Sequence, residues 1–483
     1  MRPAALLAAG RVLLATFGVR GLASRARFIL RREAGRLRAL PSPVSGAVGT
    51  AALPGAWPFR PDEARVRAAT PRGQALERAE RVARGEHQAY RHEWRPLPRT
   101  SHQWHVHPLS GVAYHRHAPW YHIRHFDASV GDIKDTWEPA RFAWAYDLAR
   151  GWMVAREERF AEAFWQSLEH FLEGCPPFKG VQWSCGQEAA IRALAWLWAE
   201  GAFLDAEAST PERLAALRRA LAWSAERIDD AIDYALSQRN NHGISEAAGL
   251  VAIGARLLNA DPRARRWLER GARLLEVQVK DQVAGDGWYI QHSFNYARVA
   301  LDQLGLAQRA LAAVGRSLSP DALERTRALA MLLASYADPA SGVPPLHGAN
   351  DGAYVLPLST RPYRDFVPSL TAAAATFGVP LPRVMQADDE TLAWLGAAPP
   401  EVVDAAPALA TGESGWVLAS VGSTRVFGRA GSYRARPGHI DALHVDVWLD
   451  GRRVATDAGT FRYAAPQPWN NGLAGEETHN TVT

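Results

Sequence analysis

The segment 238–246 contains the side chains best suited to acid–base chemistry. It reads Gln-Arg-Asn-Asn-His-Gly-Ile-Ser-Glu, so two amides, an imidazole and a carboxylate lie within nine residues. An Asn pair followed by Gly lowers helix propensity, which predicts a helix start or a break here. If a helix begins at Asn241, then His242 and Glu246 share one face, and Glu246 would orient the imidazole. The alternative interpretation is a helix N-cap followed by a solvated histidine.

Helical periodicity surrounds this segment. From Trp137 to about Gly378, apolar residues recur every three or four positions, and joints rich in Gly, Pro or Asp separate the repeats. Helices of this length in series predict an all-α bundle or toroid. The sequence has no βαβ alternation and no Gly-rich phosphate loop, which argues against nucleotide chemistry. Helices are predicted over residues 141–148, 160–172, 188–198, 214–234, 247–258, 267–279, 297–314 and 322–336.

The periodicity changes near residue 410. Alternating apolar residues predict strands over 415–421, 423–428 and 444–457. Asp450-Gly451 is a hairpin signal inside the last of these segments. The sequence stops within strand-like residues at Thr483, so we expect this β domain to be incomplete. The predicted domains are a helical or extended arm over 1–95, a toroid over 96–400 and a β domain over 410–483.

Composition narrows the class of protein. A chain of 483 residues with 47% apolar and 22% charged residues is typical of a soluble protein with more than one domain. The net charge is +5, and Lys occurs only at positions 134, 179 and 280, which indicates an Arg-rich coding bias and no nucleic-acid partner. Guanidinium groups suit planar carboxylates or sulfates, so an acidic polymer would be attracted. The 18 Trp favour stacking on sugar rings, although most are expected in the core.

Export and redox signals are weak. No run of 18 apolar residues occurs, so no membrane span is predicted. Arg11 interrupts the apolar N-terminus, which is either a poor export signal or a basic amphipathic helix. We expect a periplasmic location in a bacterial cell envelope, with the cytoplasm as the alternative. Cys175 and Cys185 make neither a disulfide framework nor a zinc site, and a single disulfide between them stays open.

Six motifs are spread over about residues 137–483. They are Gly180-Val181-Gln182-Trp183 with Glu188, Arg192 and Trp196; Asn240-Asn241-His242 with Glu246; Asp286-Gly287-Trp288-Tyr289 with Ser293 and Tyr296; Asn350-Asp351-Gly352-Ala353; His439-Ile440-Asp441 with Asp457-Ala458-Gly459-Thr460; and Thr478-His479-Asn480-Thr481-Val482. In this order, the motifs resemble the heparinase II/III family of polysaccharide lyases. The resemblance implies an incomplete (α/α) toroid followed by an antiparallel β-sandwich domain, truncated here, with a cleft between them.

The resemblance also implies a reaction, β-elimination at a uronic acid in an acidic polysaccharide. The proton on C5 is only weakly acidic, so the neighbouring carboxylate must be neutralised. A base must remove that proton, and an acid must protonate the departing O4. Asn241 and His242 suit the neutralising role, and Tyr296 suits the acid or base role. The resemblance further implies that Asn240, Glu246, Arg192 and Trp183 contact the substrate.

Tyr296 has a simpler interpretation as a core residue, because it lies at helical spacing in the sequence. A tyrosine with a pKa near 10 is a poor base unless nearby cations stabilise its anion. His439 or His242 would supply that positive charge, which makes His439 a further catalytic candidate. Several relatives have a histidine where this chain has Pro437, so the second acid/base group stays open, with Tyr463 as a weak substitute.

A metal site is also implied by the resemblance. His439, Asp457 and His479 would converge on a zinc ion of structural role, since two imidazoles, one carboxylate and a water fit tetrahedral coordination. If His439 binds metal, it is not a free base. The alternative is that all three are surface groups on strands.

Two other function classes stay open. A glycoside hydrolase on an α/α toroid would need paired carboxylates, for which Glu246, Asp286 and Asp351 are the candidates. A non-catalytic carbohydrate-binding or assembly protein is the third interpretation. A lyase leaves an unsaturated uronate that absorbs in the ultraviolet, whereas a hydrolase leaves only reducing ends. The sequence does not indicate the oligomeric state.

Overall fold

Helices make up most of the chain before residue 396, and strands follow them. A computed structural model describes residues 3–54, 57–127, 129–404, 409–431, 433 and 438–481. The helices are α1 Pro3–Glu33, α2 Glu63–Ala69, α3 Arg72–Ala83, α4 Ile133–Trp137, α5 Ala145–Ala155, α6 Glu158–Gly174, α7 Gly186–Phe203, α8 Pro211–Gln238, α9 Asn241–Arg256, α10 Ala264–Gln282, α11 Phe294–Ala312, α12 Pro320–Tyr336, α13 Val367–Phe377 and α14 Asp389–Leu395. The strands are β1 Glu86–Ala89, β2 Glu93–Pro96, β3 Phe126–Asp127, β4 Gly131–Asp132, β5 Leu381–Pro382, β6 Val402–Val403, β7 Leu409–Thr411, β8 Trp416–Val421, β9 Thr424–Arg429, β10 Val445–Leu449 and β11 Arg452–Ala455.

Polar caps fix where the central helices begin. Thr210 accepts a hydrogen bond from the backbone N–H of Arg213 at the start of α8, and Asn240 accepts one from the N–H of His242 at the start of α9. Ser293 does the same for the N–H of Tyr296 at the start of α11. Such caps satisfy backbone donors that have no partner within the helix. The first turns of α9 and α11 therefore hold predicted site residues in fixed positions.

One apolar core runs through the helical part. Consecutive helices pack against each other from α7 to α10, α11 packs on α9 and α13, and α3 packs on α5. The predicted arm over 1–95 contributes to the same core through Val48, Phe59, Val66 and Val82. Most of the largest buried side chains are tryptophans, so these residues serve the core and do not stack on sugars. The predicted fold class is confirmed: an incomplete (α/α) toroid precedes an antiparallel sheet.

A buried ion cluster ties the N-terminal segment to the toroid. The carboxylate of Asp147 in α5 contacts Arg78 at 3.0 Å, Arg91 at 2.9 Å and Arg150 at 3.0 Å. Burial by itself would raise the pKa of Asp147, but the three guanidinium groups outweigh it and hold that pKa well below its ordinary value. Arg91 lies in the β1–β2 turn directly after Tyr90, whose hydroxyl donates to Asp135 at 3.2 Å. The cluster thereby positions one wall of the site described below.

The C-terminal sheet is antiparallel with strand order β11-β10-β9-β8-β7. The predicted hairpin is confirmed, since Asp450 (φ 51°) and Gly451 (φ 70°) connect β10 to β11 in the left-handed conformation of a tight turn. Phe427 of β9 packs against Phe294 at 5.5 Å and Tyr336 at 4.9 Å between ring centroids, which seats the sheet on α11 and α12. The helical part ends at Leu395, and the sheet begins at Leu409.

α1 packs lengthwise on α8. Gly18 (φ 63°) breaks the helical backbone of α1, and a side chain there would approach the Arg239 guanidinium at the end of α8. Within the described ranges, no helix is both long enough and apolar enough to cross a bilayer.

Candidate active site

The segment 238–246 forms a helix start, as predicted. α8 ends at Gln238, Arg239 adopts a left-handed conformation (φ 49°), and α9 begins at Asn241. The backbone N–H of Asn241 donates to Gln291 at 2.7 Å, and the Asn241 side chain is buried. Asn240 acts as the helix cap, so its amide oxygen already accepts a backbone hydrogen bond.

His242 and Glu246 line a cavity of ≈ 320 Å³, which we call the α1 cavity because α1 forms one of its walls. Burial raises the pKa of Glu246 to about 8, although Arg227 and the backbone N–H of Gln187 oppose the shift. Near neutral pH the carboxyl group of Glu246 is therefore mostly protonated. The predicted orienting role of Glu246 toward His242 stays a prediction. The lining consists of Arg25, Phe28, Ile29, Arg32, Trp120, Tyr121, Ile123, His125, Phe126, Ser184, Cys185, Gly186, Arg227, Ala231, Tyr234, His242 and Glu246.

The two cysteines are separate free thiols, so the open question of a disulfide is answered. The sulfur of Cys175 lies 3.7 Å from Nε2 of His105, and the sulfur of Cys185 lies 3.9 Å from Nδ1 of His242. Burial raises the pKa of Cys185 to about 12, which keeps it a thiol at neutral pH.

Tyr296 lies in the first turn of α11 with its ring against the core and its hydroxyl in a polar cluster. The hydroxyl is 2.7 Å from the hydroxyl of Tyr463 and hydrogen-bonds to Asp351. Lys134 places its Nζ 3.6 Å from the centroid of the Tyr463 ring and 3.8 Å from Oδ2 of Asp351. The Tyr296 hydroxyl thus meets a second phenol and a carboxylate, and both of these groups contact Lys134.

Electrostatics keep both phenols protonated at rest. Burial, followed by the charge of Asp351, raises the pKa of Tyr296 well above its ordinary value. Burial and Asp351 also raise the pKa of Tyr463. The two residues differ in their neighbours, since Lys134 lies over the ring of Tyr463, where it favours negative charge on that ring.

Asp351 and Lys134, which contact the tyrosine pair, line a second cavity of ≈ 440 Å³, which we call the Asp351 cavity. Its walls come from the segment 90–95, from α4, from the loop at 350–352 and from residues 460–462 after the sheet. Asp135 anchors it by accepting hydrogen bonds from Arg95 at 2.9 Å and Arg462 at 3.0 Å. The lining consists of Tyr90, His92, Glu93, Arg95, Asp132, Lys134, Asp135, Asn350, Asp351, Gly352, Tyr363, Thr460, Phe461 and Arg462.

The predicted metal residues converge. One ligand atom from each of His439, Asp457 and His479 lies within 4.8 Å of the others, and all three residues are buried. Nδ1 of His479 is 3.0 Å from Oδ2 of Asp457. Among the described residues, Nδ1 of His439 and Nε2 of His479 have no hydrogen-bond partner. Buried polar atoms are normally satisfied, so this donor set fits a bound cation such as zinc.

Thr460 links this triad to the Asp351 cavity. Its hydroxyl oxygen lies 3.1 Å from Nε2 of His439 and accepts a hydrogen bond from the N–H of Asn350 at 2.9 Å. His439 therefore lies in the triad with Asp457 and His479. Lys134 is a cation in contact with the tyrosine pair, and the charge expected from His439 or His242 stays a prediction. The departure at Pro437 lies outside the described residues.

Two predicted substrate contacts are wrong. Arg192 and Trp183 are both 0% exposed, so neither reaches a polymer in the cleft. Arg192 donates to the carbonyl of Gln182 at 3.0 Å and stacks near Trp183. Both residues belong to a motif whose role is packing. A sequence motif does not distinguish a residue that contacts the substrate from one that packs in the core.

A glycoside hydrolase would need two carboxylates in one site, and the three predicted candidates do not provide them. Asp286 accepts hydrogen bonds from Ser414 and Trp416 and so fastens the sheet to the helical part. Glu246 lies in the α1 cavity, whereas Asp351 lies in the other cavity. The three predicted carboxylates therefore occupy three different places.

Comparisons with known proteins agree with this layout. The heparinase II/III N-terminus family model matches residues 99–369, and the heparinase II/III-like C-terminal model matches residues 404–483. A heparin-sulfate lyase of Bacteroides thetaiotaomicron is 25% identical over 178 residues, which are 35% of this chain and 24% of that protein.

Two solved structures show the same fold. The crystal structure of heparinase III superposes with a TM-score of 0.53 at 18% identity, over 75% of this chain and 56% of that one. A mutant of the heparan sulfate lyase HepC from Pedobacter heparinus superposes with a TM-score of 0.50 at 16% identity, over 96% of this chain and 66% of that one. The chain thus spans about a quarter of the curated lyase and little more than half of the heparinase III structure.

Proposed function

The chain belongs to the heparinase II/III family, and from this premise we propose that it is a lyase that cleaves a uronic-acid-containing polysaccharide by β-elimination. One observation carries the proposal, the hydroxyl of Tyr296 lying 2.7 Å from that of Tyr463 beside a cavity. The cavity is walled by both the helical part and the segment after the sheet, which suits a polymer bound between them.

In the proposed reaction, the tyrosine pair moves two protons. The C5–H and C4–O4 bonds break, while a C4=C5 double bond and an O4–H bond form. Tyr463 takes the proton from C5 as its own proton passes along the hydrogen bond to Tyr296. Tyr296 gives its proton to the departing O4, so both phenols end as they began. Burial and Asp351 raise the pKa of both phenols, but their mutual hydrogen bond lowers the pKa of Tyr463 and raises that of Tyr296. Lys134 over the Tyr463 ring favours charge there as well, which sets this direction.

Asn241 and His242 keep their role of neutralising the uronate in this proposal. They start α9, where the positive end of the helix dipole favours a bound anion. His242 and His125 line the α1 cavity, and Lys134 lines the Asp351 cavity. A neutralised carboxylate acidifies C5–H, which lowers the barrier to removal of the proton by Tyr463.

The experiment is a screen of acidic polysaccharides read by ultraviolet absorbance. Sulfated glucosamine–uronate polymers, alginate-like polymers and unsulfated uronic polymers are incubated with the protein. A lyase is expected to raise the absorbance of at least one of them as unsaturated uronate accumulates. New reducing ends without any gain in absorbance would instead identify a hydrolase.

We also propose that His439, Asp457 and His479 hold one zinc ion. The zinc would act structurally, because it would tie together three segments of the β domain that are far apart in the sequence. Elemental analysis is expected to find about one zinc per chain. His479→Ala should lose the metal and lower the thermal midpoint of unfolding, whereas the exposed His115→Ala should change neither. A His479→Ala variant that lacks zinc but unfolds at the wild-type thermal midpoint would contradict the proposed zinc site.

A further inference from the structure

We propose that the α1 cavity binds the anionic group of a sugar residue, a carboxylate or a sulfate ester, and that Arg25 and Arg32 of α1 determine this specificity. The inference deepens the proposed function and rests on it for the class of substrate. The family match begins at residue 99, so α1 adds a wall to the cavity from outside the matched region.

The arginines of α1 divide into two groups. Arg27 and Arg31 anchor the helix, because they form ion pairs with Asp233 and Asp230 of α8. Arg25 and Arg32 line the cavity instead. Arg25 is held over the ring of Tyr234, 4.8 Å from its centroid, and it forms no ion pair within the described part of the chain. One pair of arginines fixes the helix, and the other pair presents charge to the cavity.

The Arg32 guanidinium can bind a ligand although it forms an ion pair with Glu33. It donates to Glu33 at 2.7 Å, but the two side chains are 45% and 66% exposed. An exposed ion pair contributes little free energy, so a bound anion displaces Glu33 from Arg32 easily.

Arg227 places a positive charge at a fixed position in the lining of the α1 cavity. It is buried, and it donates to the carbonyls of Trp183 at 2.8 Å and Ser184 at 3.0 Å. Its guanidinium carbon lies 3.3 Å from the centroid of a Trp120 ring. Burial lowers the pKa of Arg227 to about 10, so the group stays charged at neutral pH. Among the described residues it forms no ion pair, which leaves its charge available to a ligand.

The rest of the lining suits a sugar ring. Trp120, Tyr121 and Tyr234 are amphipathic aromatic residues, and the exposed Phe126 completes an apolar wall. Among the described residues, Glu246 is the only acidic side chain in the lining, and near neutral pH it is mostly neutral, so it does not repel an anion. The cavity volume of ≈ 320 Å³ lies within the range of small-molecule sites, roughly 300–1,000 Å³. A single acidic sugar unit fits this combination of charge, aromatic faces and size.

The test measures binding without turnover. In a Tyr296→Phe background, isothermal titration calorimetry at low salt compares a sulfated glucosamine–uronate tetrasaccharide, an unsulfated uronate tetrasaccharide and a neutral tetrasaccharide. The Arg25→Gln/Arg32→Gln variant is expected to bind the acidic probes at least about tenfold more weakly, since each lost contact to a charged group is worth about a kcal/mol. Arg36→Gln, an exposed arginine just after α1 and outside the cavity, is the matched control and should bind as the parent does.

The outcomes separate this site from the lyase proposal. Equal affinity of the double variant and the parent for both acidic probes would overturn the site, as would equal binding of the neutral probe. A loss confined to the sulfated probe identifies a sulfate ester, and a loss for both probes identifies any anion. If the wild-type protein makes no unsaturated uronate but the arginine-dependent binding persists, the lyase proposal fails and the site stands.

Discussion

Tyr296→Phe is expected to lower turnover by roughly 10²–10⁴-fold, the usual contribution of a positioned general acid or base. The substitution removes one hydroxyl and leaves the ring packed against the core at the start of α11. KM should change little, because the lost proton transfer belongs to the transition state and the ring still shapes the cleft. Initial rates from ultraviolet absorbance on the best substrate give both constants.

Two further variants sharpen this expectation. Tyr463→Phe should cause a loss of similar order, because the proposed relay needs both hydroxyls. Tyr336→Phe is the control, since its hydroxyl is buried without a hydrogen-bond partner in the described part of the chain. That variant should keep nearly full turnover. A Tyr296→Phe protein that retains more than about a tenth of wild-type turnover would contradict the assignment.

Asp147→Asn is expected to lower the free energy of unfolding by roughly 3–5 kcal/mol, the usual cost of removing one partner from a buried ion cluster. The side chain keeps its shape but loses its charge, so Arg78 and Arg91 lose their ion-pair partner and Arg150 keeps only Glu390. Urea unfolding at pH 7 followed by circular dichroism measures the difference. Asp205→Asn is the control, because its ion pair with Arg60 is exposed and should contribute less than about 1 kcal/mol.

The effect of Asp147→Asn should depend on pH in one direction. The pKa of Asp147 is depressed in the folded protein, so its stabilising contribution is complete above the unfolded pKa of about 4. As the pH falls below that value, the unfolded chain takes up a proton first and the contribution shrinks. The difference between wild type and variant should therefore be constant from pH 5 to 7 and smaller at pH 3. A difference that grows on acidification would contradict the ion cluster as its source.

The start of α9 could be predicted from the sequence because its cause is local. Asn240 caps the helix with its own side chain, and Asn241 and His242 follow within the first turn. The hairpin at Asp450-Gly451 is local in the same way, since these two residues adopt the left-handed backbone that the turn requires. Such features depend on neighbours a few residues away, which the sequence displays directly.

The partners of Tyr296 could not be predicted in this way. Lys134 precedes Tyr296 by more than a hundred residues, and Tyr463 follows it from beyond the sheet, so only tertiary packing brings them together. The burial of Arg192 could not be predicted for the same reason. The sequence of a motif does not distinguish an arginine that faces solvent from one that packs on a tryptophan. The scarcity of lysine was the one signal that could have singled out Lys134.

The proposed activity, cleavage of a uronic polysaccharide by elimination, has a direct test. The most direct measurement is ultraviolet absorbance during incubation of the protein with acidic polysaccharides, run in parallel with the Tyr296→Phe variant. We expect a steady rise in absorbance with at least one uronic polymer and a rise at least about a hundredfold slower with the variant. Chain cleavage without any absorbance, or equal rates for both proteins, would contradict it.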